Sequence, residues 1–181
     1  MARYDGPTRS LLIAFKERGA VGLARPLGDA LGRSVGAVLT AAALRPETAV
    51  VVVPVPSAPG AVRRRGDDVV QLLARRAALR LRAAGHRVRV VAALLQARKV
   101  ADSAGLTARA RADNLAGALA IRAAAQRRLD GAAIVLVDDL VTTGATLAEA
   151  TAVLVGGGGH VLGAAAIAAT RRRSAAEPTD W

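Results

Sequence analysis

Two spacings of apolar residues alternate along the chain. Apolar side chains recur at helical intervals over residues 8–18 and 22–43, and the second run stops near Arg45-Pro46, a pair that ends helices. Residues 49–53 (AVVVV) then form an unbroken apolar stretch closed by Pro54, as expected of a strand covered on both faces. After a loop at 54–66, helical spacing returns over 67–84. Here Val69, Leu73, Ala77 and Leu81 line one face, Arg75 and Arg82 fall opposite, and Gly85 ends the run. The pattern next predicts a strand at 88–94, a polar loop at 96–108, a short helix at 109–116 and a third strand at 118–121. Residues 133–137 (AIVLV) make another buried strand, followed by a loop at 138–143, a helix at 144–155 and a last strand at 161–169. Strands alternating with helices predict an α/β fold, a central and mostly parallel sheet flanked by helices.

The 181 residues suit a single domain over 1–170, with a polar C-terminal tail at 171–181. An uncharged stretch from Thr151 to Thr170 has the length of a membrane span, but four consecutive glycines and His160 stand at its centre. It reads as helix end, turn and strand, with no membrane partner. Gly156–Gly159 follows a helix, where the dipole end is negative, so it is a stop and not a phosphate loop.

Charge adds a second constraint. There are 26 basic and 14 acidic residues, a net charge of +12, and all the basic residues except Lys16 and Lys99 are arginine. Such a balance favours anionic partners without choosing among phosphates, nucleic acid and acidic lipid. A nucleic-acid partner rests on the charge alone, and three aromatic residues are too few for a base-stacking platform. The absence of cysteine excludes disulfides, a thiol nucleophile and Cys-ligated metal, and it is compatible with a reducing, cytoplasmic setting. His86 and His160 both adjoin turn glycines and read as surface or strand-edge residues.

Candidate chemistry concentrates in VLVDDLVTTGAT, residues 135–146. In a parallel sheet, ligands collect at the carboxyl ends of the strands. Asp138 and Asp139 are expected there, two acceptor carboxylates suited to the paired hydroxyls of a ribose. Thr142, Thr143, Gly144, Ala145 and Thr146 offer successive backbone N–H groups and three hydroxyls at the start of a helix, a cradle for a phosphate. A diol binder next to a phosphate binder describes a ribose 5-phosphate.

These residues resemble the phosphoribosyl pyrophosphate signature of type I phosphoribosyltransferases: an apolar strand, two acidic residues and a Thr-Thr-Gly-x-Thr loop. The likeness extends to one branch of that family, the competence-associated ComF proteins. It is carried by Val53-Pro54-Val55-Pro56-Ser57, by the run from Arg63 to Gly66, and by Arg98-Lys99 with GLTARARADNLAG at 105–117. There are departures. Purine-salvage members carry Asp where this chain has Thr142, which argues against a hypoxanthine or guanine transferase. Asp67, Asp68 and Val69 replace the Phe-Asn-Gln usual in ComF after Arg-Gly, and the Cys-rich zinc module of many members is not found in this sequence.

The resemblance implies a type I phosphoribosyltransferase fold with a small hood drawn from residues 1–45 and part of 96–121. It implies a pyrophosphate site at Pro56, Ser57 and Arg65, and a flap over 96–108 bringing Arg98 and Lys99 to the leaving group. Mg²⁺ would be bound mainly through the substrate's pyrophosphate, with no direct ligation by protein side chains, and the assembly is compatible with a homodimer. The implied activity is transfer of ribose 5-phosphate from phosphoribosyl pyrophosphate to an unidentified nitrogenous acceptor. The competing reading is a non-catalytic binding protein, a sensor of phosphoribosyl pyrophosphate or an accessory of DNA uptake on the same fold.

Overall fold

The computed structural model describes residues 1–98, 110 and 114–170. The first strand, β1 (Ala2–Arg3), is followed by helices α1 (Gly6–Glu17) and α2 (Ala24–Ala41) and by β2 (Val50–Pro54). Next come α3 (Pro59–Arg65), α4 (Val69–Ala83), β3 (Val88–Val90), β4 (Leu94–Gln96) and β5 (Leu119–Ile121). The chain ends in β6 (Ala133–Val141), α5 (Ala145–Gly156) and β7 (His160–Ala169). Five strands form one sheet in the order β1-β7-β6-β2-β3, and every pairing in it is parallel. β4 and β5 make a separate antiparallel pair. The α/β architecture expected from the alternating pattern is therefore present, with the small second sheet as an addition.

The sheet is covered on both faces. Val50 and Val52 of β2 and Val135 and Val137 of β6 pack with Leu12, Leu31 and Leu73 from α1, α2 and α4. Val51, Val53, Ile134 and Leu136 point the other way, into a second core with Ala150 and Leu154 of α5 and with Leu94 and Leu119 of the small sheet. This two-sided burial is why the strand sequences are continuous apolar runs and not alternating ones. All five residues of β2 are buried, and each valine contributes roughly 1.5 kcal/mol by leaving water. Among the described residues, no helix is long and apolar enough to cross a membrane.

α2 and α4 approach closely along one seam. A Cβ on Gly28 would collide with the side chain of Arg76, and one on Gly32 would lie 2.9 Å from Arg80 Cδ and 3.3 Å from the Ala77 carbonyl oxygen. Glycine is needed here for proximity and not for backbone conformation.

Several boundaries differ from the expected ones. The apolar run at 88–94 is two strands: after β3 the chain bends at 91–93, where Ala93 N donates to the Val91 carbonyl at 2.8 Å, and β4 leaves to pair with β5. Apolarity marks burial but not which partner strand supplies the hydrogen bonds. The loop expected at 54–66 contains α3, which begins at Pro59 and is closed by Gly66 at φ 82°. Proline at the start and glycine past the end are ordinary helix punctuation. β6 runs to Val141, four residues beyond the expected end, and β1 has no counterpart in the expected pattern. Of the helix expected at 109–116, residues 110 and 114–116 are described: 110, 114 and 115 are helical and 116 is already in a turn; the tail at 171–181 lies outside the described residues.

Candidate functional site

The connectivity singles out one edge of the sheet. From β2 the chain moves through α4 to β3 on one side, and from β6 it moves through α5 to β7 on the other. The direction of winding therefore reverses between β2 and β6, and the carboxyl ends at such a reversal form the usual ligand crevice of an open α/β sheet. β2 delivers Pro56 and Ser57 to this place, and β6 delivers Asp138, Asp139 and the Thr142–Thr146 loop. The two segments are joined directly, since Val55 N donates to the Val137 carbonyl at 2.9 Å.

Asp138 and Asp139 belong to β6 itself, as the strand continues past them. They have different partners. Asp138 lines a small cavity with Thr142, Gly144 and Thr146. Asp139 is 4% exposed, the only buried charged residue among those described, and its Oδ2 stands 2.6 Å from Lys16 Nζ of α1. A buried carboxylate without a partner is costly, and the lysine supplies one. The Asp139 backbone N–H donates to Asp138 Oδ1 at 2.8 Å. Burial, and then the neighbouring Asp139 carboxylate, push the Asp138 carboxyl up to about 7. The Asp139 N–H and Lys16 pull in the opposite direction without cancelling this.

The loop after β6 turns on Gly144, whose φ of 81° lies in the left-handed region open to glycine. No side chain caps α5 in the usual way; a long contact of 3.4 Å runs from Ala145 N to Thr143 Oγ1. The first-turn amides of this 12-residue helix are thus left without a strong side-chain acceptor. Thr170 holds the loop from behind, with its N on the Val141 carbonyl at 2.9 Å and its hydroxyl on the Thr142 carbonyl at 3.2 Å.

The second loop is already engaged. Ser57 donates its backbone N–H to Asp68 Oδ2 at 3.1 Å and its hydroxyl to Asp68 Oδ1 at 2.9 Å. The same Asp68 carboxylate caps α4, accepting from Val70 N and Gln71 N. Asp68, noted in the sequence only as a departure from the ComF pattern, is thus the residue that fixes the loop to the next helix. An N-cap position after Gly66 was the available signal.

Arg65 ends α3 and lines a cavity of about 260 Å³ with Lys16, Phe15 and Asp67. Its Nε is buried without a hydrogen-bond partner. Arg98 lies elsewhere: its guanidinium donates to the carbonyls of Asn114 at 2.9 Å and Ala116 at 2.7 Å, and it lines neither this cavity nor that of Asp138. Lys99 lies outside the described residues. Lys16 is the contributor that sequence reasoning missed. Its rarity among so many arginines was a faint signal, but nothing local linked it to a residue more than a hundred positions away.

No family model matches the chain, and no curated protein matches it. The likeness to ComF rests on the residues quoted for it.

Proposed function

We propose that the chain is a phosphoribosyltransferase-like protein of the type I class that binds Mg²⁺-phosphoribosyl pyrophosphate at the crevice between β2 and β6. The observation carrying this reading is the reversal of winding at those two strands, with Asp138, Asp139 and a loop turned on Gly144 at its carboxyl edge. Thr142–Thr146 would take the 5-phosphate on backbone amides and hydroxyls. Asp138 and Asp139 would orient the ribose and favour positive charge growing on its ring, and the loop at Pro56 and Ser57 would face the pyrophosphate. Of the segments expected to form a hood, β1 belongs to the central sheet and α1 and α2 to the main core, and the β4–β5 sheet is the piece outside the central sheet.

The transfer implied is a displacement at ribose C1. The acceptor nitrogen forms a bond to C1 as the C1–O bond breaks, the bonding electrons leave with pyrophosphate, and the nitrogen's proton passes to solvent or a base. Mg²⁺ would be carried on the pyrophosphate oxygens of the substrate and on water, as Mg²⁺ prefers. Its contribution when bound is to neutralise the leaving pyrophosphate. With Lys99 and most of the 96–108 segment outside the described residues, the flap belongs to this proposal only through Arg98.

One observation favours the second reading, a non-catalytic binder: Asp68 already occupies both Ser57 donors. Titrating phosphoribosyl pyrophosphate with Mg²⁺ by calorimetry, while following pyrophosphate release, separates the two. Binding with release supports a transferase. Binding without release under any nitrogenous acceptor supports the sensor. Equal heats in the wild type and in Asp138→Asn/Asp139→Asn would sink both.

A further inference from the structure

We infer that the outer edge of β3 takes an extended acidic segment of a partner protein, which adds to the sheet as a further strand. This edge lies apart from the crevice between β2 and β6, and the inference does not rest on the function proposed for that crevice.

β3 is the last strand of the five-stranded sheet, so among the described residues only β2 pairs with it. The register decides which of its main-chain groups that pairing leaves over. Val50 N donates to the Arg87 carbonyl at 2.8 Å and Val91 N to the Val52 carbonyl at 3.0 Å. In a parallel ladder Arg89 then turns its N–H and carbonyl to β2, while Val88 and Val90 turn theirs away. Arg82 Nε meets the Val88 carbonyl at 2.7 Å. The N–H and carbonyl of Val90 have no such partner among the described residues. Two hollows that share Arg82 lie beside these residues. One, of about 460 Å³, is lined by Val88 with Arg82, Arg87 and Arg89, and the other, of about 290 Å³, by Val90 with Arg75, Arg82 and Leu79.

The lining gives the occupant. Arg75, Arg82, Arg87 and Arg89 form no ion pair among the described residues, and the hydrogen bonds of the last three go to main-chain carbonyls. Their charge is therefore left to complement carboxylates from outside. A second copy of this edge does not fit, because it would set arginine against arginine. A nucleic-acid backbone would meet the arginines, but its phosphodiesters bring acceptors only, where Val90 offers both an N–H and a carbonyl. Leu79, 53% exposed, adds an apolar surface beside them. An added peptide strand meets all three. Val88 and Val90 pack toward the helices of the main core, so Arg87 and Arg89 stand on the opposite face of the strand. The segment that fits thus alternates, with acidic residues toward these two arginines and apolar residues toward Leu79.

Three peptides separate charge from strand addition. They are an end-blocked heptapeptide alternating Glu and Val, its counterpart with Lys for Glu, and the acidic peptide N-methylated at every residue, which keeps the charge and removes the strand's N–H donors. Binding is read from the amide NMR signals of Val88 and Val90 and from the exchange rate of the Val90 N–H. The acidic peptide is expected to shift both signals, to slow that exchange, and to bind about tenfold more tightly than either control. Arg87→Gln/Arg89→Gln should weaken it by about the same factor. Leu79→Ser, at an exposed position of α4, should weaken it several-fold even if the arginine variant is less stable to heat.

Equal binding of the N-methylated peptide overturns strand addition, and equal binding of the lysine peptide overturns the acidic partner. No shift at Val90 from the acidic peptide, or unchanged binding in Leu79→Ser and the arginine variant, overturns the inference as a whole. A single-stranded oligonucleotide that shifts Val88 and Val90 where the acidic peptide does not also overturns it, and makes this edge a nucleic-acid surface.

Discussion

Lys16, one residue from the end of the first helix, holds Asp139 of the central strand through an ion pair of 2.6 Å. The contact links the first helix to the central strand β6, and it neutralises the only buried charge among the described residues. The first helix is thereby part of the candidate site and not just a cover.

Replacing Lys16 by Met leaves the Asp139 carboxylate buried and alone. Because the lysine side chain is about a third exposed, the expected loss is about 1–2 kcal/mol and not the full cost of breaking a deeply buried pair. Urea denaturation of Lys16→Met, Asp139→Asn and the double variant measures the coupling. The double variant should recover part of the loss, and strictly additive losses would mean that the pair contributes nothing.

The Asp138 carboxyl gives stability a dependence on pH. Its folded value of about 7 stands above the ordinary 3.8, so the folded protein holds a proton that the unfolded chain releases. The contribution is complete below about pH 4 and is lost as pH rises through 7, with a slope approaching about 1.4 kcal/mol per pH unit. Asp138→Asn should flatten this fall and be more stable than the wild type at pH 8 relative to pH 5. Parallel curves for the two proteins across that window would contradict the assignment.

Asp68 has two duties that a substitution can separate. Asp68→Ala removes the α4 cap, which costs about 1 kcal/mol, and releases the Ser57 N–H and hydroxyl. Inorganic pyrophosphate with Mg²⁺ should then bind several-fold more tightly in calorimetry, because it no longer displaces a carboxylate. Weaker binding in the variant would mean that Asp68 instead holds the loop ready for the ligand.

Gly144 and Gly32 are both required as glycine, for different reasons. Gly144→Ala puts a side chain on a left-handed residue at a cost of about 1 kcal/mol, with open space around it. It should weaken phosphoribosyl pyrophosphate binding while the fold persists. Gly32→Val forces α2 away from Ala77 and should cost about 1–3 kcal/mol by overpacking. Thermal unfolding of the two variants tests the contrast, which fails if Gly144→Ala is the more destabilised.

What the sequence alone determined is local and periodic. Residues 49–53 and 133–137 could be read as buried strands because two-sided burial leaves no polar position in them, and the 144–155 helix because its apolar face repeats every turn. The order Asp-Asp, Thr-Thr-Gly-Ala-Thr could be read as one candidate site for the same reason: strand, loop and helix start are contiguous in the chain. The tertiary structure alone decided everything that depends on partners distant in sequence. It split 88–94 between two sheets, since an apolar run carries no mark of which strand will bond to it. It joined Val55 to Val137, Ser57 to Asp68 and Lys16 to Asp139. It also gave the two adjacent aspartates different partners. These contacts arise only when the sheet's order brings separate segments to one edge, and no spacing along the chain encodes that order.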